Sequence, residues 1–191
     1  MNENDGKKAT DRVVGLLLKD QFYDTKVMAQ DVAESLRDVA KKIVICGAAG
    51  SGKTELSTEL GKILGFKVFN VDDLVPGGFT EDEEKYRRRL EDAWMLLIAK
   101  LPSSGWIVEH IEACNPMLTK VIEPDYAILM TPTLDKVLEV ARARDSVSAA
   151  IGINRERRAR ASVGIASSQF GGVSGEEVIK IEDGLIVKKI N

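Results

Sequence analysis

The chain has 191 residues, 44% of them hydrophobic, and a formal net charge of −3. This length and apolar content suit one domain with its own core rather than two, and the small charge excludes a whole-molecule basic field for nucleic acid. Two cysteines and a single histidine supply neither a disulfide framework nor a metal-ligand cluster, and the polar opening MNENDGKKATDR with no span-length apolar run points to the cytoplasm and away from membranes.

Residues 1–10 offer nothing to bury and are expected to be mobile. Apolar residues then recur at helical spacing over 11–19 and 26–42, as Val32, Leu36 and Val39 illustrate, which predicts two helices before the first strand. These make residues 1–41 an N-terminal helical extension, read either as a flap against the sheet or as a surface for self-association. Residues 42–191 form the main domain.

Ile43–Cys46 is an apolar strand candidate that runs into Gly47–Thr54, GAAGSGKT, a full match to G-x-x-x-x-G-K-[ST]. Glycines allow a tight turn whose N–H groups point inward, and with the positive end of the following helix they make a nest for a polyphosphate. Gly47, Ala48, Ala49, Gly50, Ser51, Gly52, Lys53 and Thr54 are therefore the nucleotide-binding candidates. Lys53 would face the β- and γ-phosphates, and the Thr54 hydroxyl would help to coordinate Mg²⁺. The helix continues through Leu56, Leu60, Ile63 and Leu64 to Gly65 at its end.

Phe66–Val71 is the second strand candidate and leads directly into Asp72 and Asp73. A carboxylate at a strand's C-terminal end lies on the edge where open α/β sheets bind ligands; the other reading is that the pair caps a short helix. Thr80 to Glu83 fits a capping box at the start of a long helix, with Tyr86, Leu90, Trp94, Leu97 and Leu101 on its buried face. Arg87, Arg88 and Arg89 follow an acidic run on the same helix and could simply pair with it. Trp106–Glu109 reads as a buried strand closed by Glu109, the acid expected to partner the phosphate loop at the Mg²⁺.

Tyr126–Met130 is a further strand, and Thr131-Pro132 reads as the cap and first residue of the next helix, with Leu134, Val137, Leu138 and Ala141 facing the sheet. Between Arg142 and Arg160 there are six arginines and no lysine, a concentration of phosphate-binding forks. They suggest a lid over about 142–162, although the arginines could also pair with Asp145 and Glu156. Two strand candidates, 177–181 and 185–190, close the chain as a hairpin.

A phosphate loop on the first strand, an acid after the second, a strand ending in Glu and then an arginine-rich segment resemble the small-molecule and nucleoside monophosphate kinases of the P-loop class. Over about residues 42–170 the order is similar to the adenylate-kinase-like and shikimate-kinase-like branches. The resemblance implies an α/β, three-layer P-loop NTPase fold with a central, mainly parallel sheet, helices on both faces and an arginine-rich lid. It implies ATP and Mg²⁺ as cofactors and a small molecule as phosphoryl acceptor. Catalytic roles would fall to Lys53, Asp72, Glu109, Arg142 and Arg155. Arg144 and Arg158 would join the loop in binding nucleotide, and Thr54, Asp72 and Glu109 would surround the metal. Where the shikimate-type branch has Asp-x-Asp, this chain has Asn70-Val71-Asp72, and His110 stands where related families follow the third strand's acid with glycine. Asp72 would orient and deprotonate an acceptor hydroxyl. If the acceptor were a nucleoside monophosphate, Arg87 to Arg89 would clamp its phosphate instead. A third reading is a nucleotide-binding regulator or toxin-like protein that uses the N-terminal helices as its contact surface.

Overall fold

Unbroken apolar runs such as Ile43–Cys46 and Ala127–Met130 can be buried only in a sheet covered on both faces. The computed structural model describes residues 24–36, 41–77, 82–148, 160–165, 177–182 and 185–190. In chain order the elements are α1 (Thr25–Ser35), β1 (Lys42–Gly47), α2 (Lys53–Leu64), β2 (Lys67–Asn70), a 3-10 turn (Asp72–Leu74), α3 (Glu83–Lys100), β3 (Trp106–Glu109), α4 (Pro116–Ile122), β4 (Tyr126–Met130), α5 (Leu134–Ser148), β5 (Glu177–Glu182) and β6 (Leu185–Ile190). The strands form one sheet in the order β2-β3-β1-β4-β5-β6. Pairing is parallel from β2 through β5 and antiparallel only at β6.

The period of two along each strand divides the core into two layers. Ile43, Ile45, Ile107, Tyr126, Ile128 and Met130 pack with Leu56 and Leu60 of α2 and with Met28, Ala29, Val32 and Leu36. On the opposite face Val44, Cys46, Val108, Ala127 and Leu129 pack with Leu90, Ala93, Trp94 and Leu97 of α3 and Ile122 of α4. The result is helix, sheet, helix. Residues of α1 therefore bury their apolar stripe in the cluster that supports β1 and α2, each large side chain contributing about 1.5–3 kcal/mol.

Element boundaries differ from the sequence expectation in four places. α1 ends at Ser35 because Leu36 turns extended, at φ −76° and ψ 129°, with its N–H directed back to Val32 and Ala33; its stripe is already complete at Leu36. Val39 and residues 11–19 lie outside the described residues. α3 is capped by Asp82, which accepts from the Lys85 N–H at 3.0 Å, because a carboxylate both caps and complements the helix dipole. Thr80 is outside the described residues. Helix α5 begins at Leu134, where the Thr133 carbonyl accepts from the Val137 N–H, so Thr131 and Pro132 belong to the preceding loop. Helix α4 is an addition, capped by Asn115 with Pro116 in its first turn and closed by Glu123 in the left-handed region at φ 46°.

Candidate active site

The phosphate loop leaves β1 where the strand order turns back on itself, since β3 and β4 flank β1 on opposite sides; this is the crevice in which open α/β sheets bind ligands. Gly50 and Gly52 hold left-handed φ values of 83° and 86°. Gly52 turns the chain into α2, and a Cβ on Gly50 would stand 3.0 Å from Val140 of α5. The loop is thus fixed from above by α5, where Ala48, Val137, Leu138 and Ala141 are buried together with Val163 alongside. Gly50, Gly52 and the α2 N-terminus give the loop backbone geometry from which an anion nest can be built. Lys53 Nζ donates to the Ala48 carbonyl at 3.1 Å, so the cation lies across the loop it serves.

Strand β3 pairs with both β1 and β2, which brings Glu109 into register with Ile45 and Asn70. The Thr54 hydroxyl donates to Glu109 Oε1 at 2.8 Å. Glu109 is only 2% exposed. Burial pushes its carboxyl above the ordinary range, the Lys53 charge and the Thr54 hydrogen bond pull it back, and nearby Asp72 adds to the rise.

Asp72 faces this pair from the end of β2. Its N–H donates to Asn70 Oδ1 at 2.9 Å, which gives the asparagine a turn-holding task in place of an acid's. Tyr86 of α3 donates its hydroxyl to Asp72 Oδ1 at 3.0 Å, and His110 Nε2 lies 3.5 Å from the same oxygen. Packing around the carboxyl opposes its charge, yet the hydrogen bond and electrostatic pull of His110, the Tyr86 hydroxyl and the Lys53 charge outweigh that and hold it at about 2. Asp72 is therefore an ionised carboxylate across the physiological range.

The structure brings Lys53, Thr54, Glu109 and Asp72 together. The candidate arginines that the structure describes lie on α3 and α5. Arg88 pairs with Glu84 in solvent, Arg87 is exposed, and Arg89 reaches the Gly77 turn, where a Cβ would be 3.2 Å from its guanidinium. Arg142 is exposed on α5, Arg144 follows it on that helix, and Arg155 and Arg158 lie outside the described residues.

Among the described residues, no group of three or more His, Cys, Asp or Glu side chains is arranged to hold a metal. Mg²⁺ beside a polyphosphate takes most of its ligands from phosphate and water, and one or two protein oxygens suffice. The Thr54 hydroxyl backed by buried Glu109 fits this hard-oxygen demand. Among the described residues no helix is long and apolar enough to cross a membrane.

No protein-family model matches the sequence, and a search of the curated proteins finds no match. Solved structures do match. Shikimate kinase from Acinetobacter baumannii superposes with a TM-score of 0.57 at 18% identity over 78% of this chain and 87% of that one. Deoxyadenosine kinase from M. mycoides gives 0.52 at 16% identity over 75% and 92%, and a putative kinase from Chloroflexus aurantiacus gives 0.51 at 19% over 77% and 88%.

The chain has the P-loop kinase fold. Within that fold, two contacts were not foreseen from sequence. The Ser162 hydroxyl accepts from the Ala49 N–H at 2.9 Å, fastening the helical residues 160–165 to the phosphate loop. Tyr86, expected only as a core residue, places its hydroxyl on Asp72. A tyrosine beginning a helix that starts with an acidic turn carries no signal for such a contact; only the packing of α3 beside β2 creates it.

Proposed function

We propose that the protein is an ATP-dependent, Mg²⁺-assisted kinase that transfers the γ-phosphoryl group to a hydroxyl of a small molecule. The observation that carries this reading is the ionised Asp72 at the strand end opposite Lys53, with both its carboxylate and Glu109 under the influence of the lysine's charge. A phosphate-bearing nucleophile would meet repulsion from that carboxylate, whereas an alcohol can donate a hydrogen bond to it.

When bound, ATP supplies the phosphoryl group and Mg²⁺ neutralises its charge. Lys53 exchanges the Ala48 carbonyl for phosphate oxygens, and the loop N–H groups hold the remainder of the polyphosphate. Thr54 and Glu109, joined by their hydrogen bond, would be the residues that hold the metal, Thr54 through its hydroxyl and Glu109 by supporting it. Asp72 aligns the acceptor O–H. A carboxyl held at about 2 is a weak base, so its contribution is orientation, consistent with a loose transfer in which the acceptor proton leaves late. Arg142, Arg144, Arg155 and Arg158 would close over the nucleotide. We propose a cytoplasmic setting for this activity, and the reading is in keeping with solved neighbours that are named as kinases.

The test is calorimetry of MgATP against the wild-type protein and Lys53→Ala. Losing a charged hydrogen-bond partner of the polyphosphate should weaken binding by about 1.5–3 kcal/mol, roughly 10- to 100-fold. Equal affinity in the two proteins would overturn the nucleotide assignment.

A further inference from the structure

Asp72 Oδ1 meets two groups from different layers of the fold, a hydroxyl that hydrogen-bonds it and a ring nitrogen at ion-pair distance. Tyr86 comes from α3 and bonds it at 3.0 Å, and His110 comes from the residue after β3, with Nε2 at 3.5 Å. His110 itself has no freedom. It is 1% exposed, its N–H donates to the Ile45 carbonyl at 3.1 Å, and its ring meets Trp94 edge-on at 5.7 Å. The Glu112 N–H donates to His110 Nδ1 at 3.1 Å. A nitrogen that accepts a hydrogen bond carries no proton, so in the neutral imidazole the ring proton lies on Nε2, the nitrogen nearer Asp72.

We propose that His110 and Tyr86 are positioning residues that jointly hold Asp72 Oδ1, leaving Oδ2 as the single oxygen offered to the acceptor hydroxyl. The inference deepens the acceptor role given to Asp72 above and rests on it for its functional meaning. Its chemistry is specific: with Oδ1 turned toward Tyr86 and His110, the lone pairs left for an outside donor are those of Oδ2. An exposed Asp side chain, 61% accessible here, would otherwise rotate between staggered positions and lose alignment. The Asn70 side chain completes the arrangement by fixing the Asp72 backbone at 2.9 Å, so main chain and carboxylate are each held by a separate group.

His110 is the only histidine in the sequence, so the full chain labelled with ¹⁵N at histidine gives one imidazole signal and needs neither nucleotide nor acceptor. The expected spectrum has Nε2 protonated and Nδ1 bare. Asp72→Ala should move the Nε2–H resonance and speed its exchange with water while Nδ1 stays in place. Tyr86→Phe should move Nε2–H downfield, because the histidine then has the shared oxygen to itself; a merely structural tyrosine would leave it unmoved. If Asp72→Ala fails to fold, the Tyr86→Phe shift alone decides. A proton on Nδ1, or an Nε2–H resonance indifferent to Tyr86→Phe, overturns the inference. Because the readout involves no phosphoryl transfer, it can fail while the kinase reading stands, and the reverse.

Discussion

Glu109, which the proposed function places beside the metal, costs the fold stability when it is charged. Its carboxyl is buried and held above the ordinary range, so the folded state binds its proton more tightly than the unfolded chain does. The cost of charging it is absent below the ordinary glutamate value of 4.5 and is complete once pH has risen past the folded value. Glu109→Gln keeps an oxygen for the Thr54 hydroxyl and removes the charge. In thermal melts without nucleotide it should be more stable than wild type at pH 7, with the gain vanishing near pH 4. The same change should weaken Mg²⁺-dependent nucleotide binding roughly 10- to 100-fold, the range seen when a metal's supporting carboxylate is lost. A variant that melts below wild type at pH 7 would contradict the electrostatic account. Asp72 runs the other way: its charge stabilises the fold above 3.8, and that contribution is lost as pH falls toward about 2.

At the scale of elements, α1 and α5 show what fixes the phosphate loop. α1 buries Met28, Ala29 and Val32 against the same cluster as Leu56 and Leu60, so the helix beneath the loop is packed by residues that precede the motif. Met28 is 3% exposed, and Met28→Ala should lower stability by about 2–5 kcal/mol, read as a shift of the urea midpoint. A midpoint unchanged from wild type would show that α1 is not part of the cooperative core. On the other side α5 lies over Gly50, and Ser162 bonds Ala49. The strands, the loop and the apolar faces of α2 and α3 were legible in the sequence because period, glycine placement and strand-end acids are local signals. The Ser162–Ala49 and Tyr86–Asp72 contacts were not, since each depends on two elements meeting after the fold is made. The helix ends at Ser35 and Leu134 differ from the expectation because a helix end is set by capping and packing geometry that apolar period does not encode.

The whole molecule is an arrangement for bringing three strand ends to one edge. With β1 between β3 and β4, and β3 between β1 and β2, the loop, Glu109 and Asp72 arrive side by side without any of them being close in sequence. The arrangement predicts a direction of transfer: nucleotide on the loop side, acceptor on the β2 side, with Asp72 between. ³¹P NMR of MgATP, the protein and a mixture of small hydroxylated metabolites and nucleoside monophosphates reads that prediction directly. The account expects ATP to be consumed with the appearance of a phosphomonoester, and expects Asp72→Asn to bind MgATP as wild type does while forming that product roughly 100-fold more slowly, the cost of a misaligned nucleophile. A new phosphoanhydride from a monophosphate, or inorganic phosphate alone from both proteins, would contradict it.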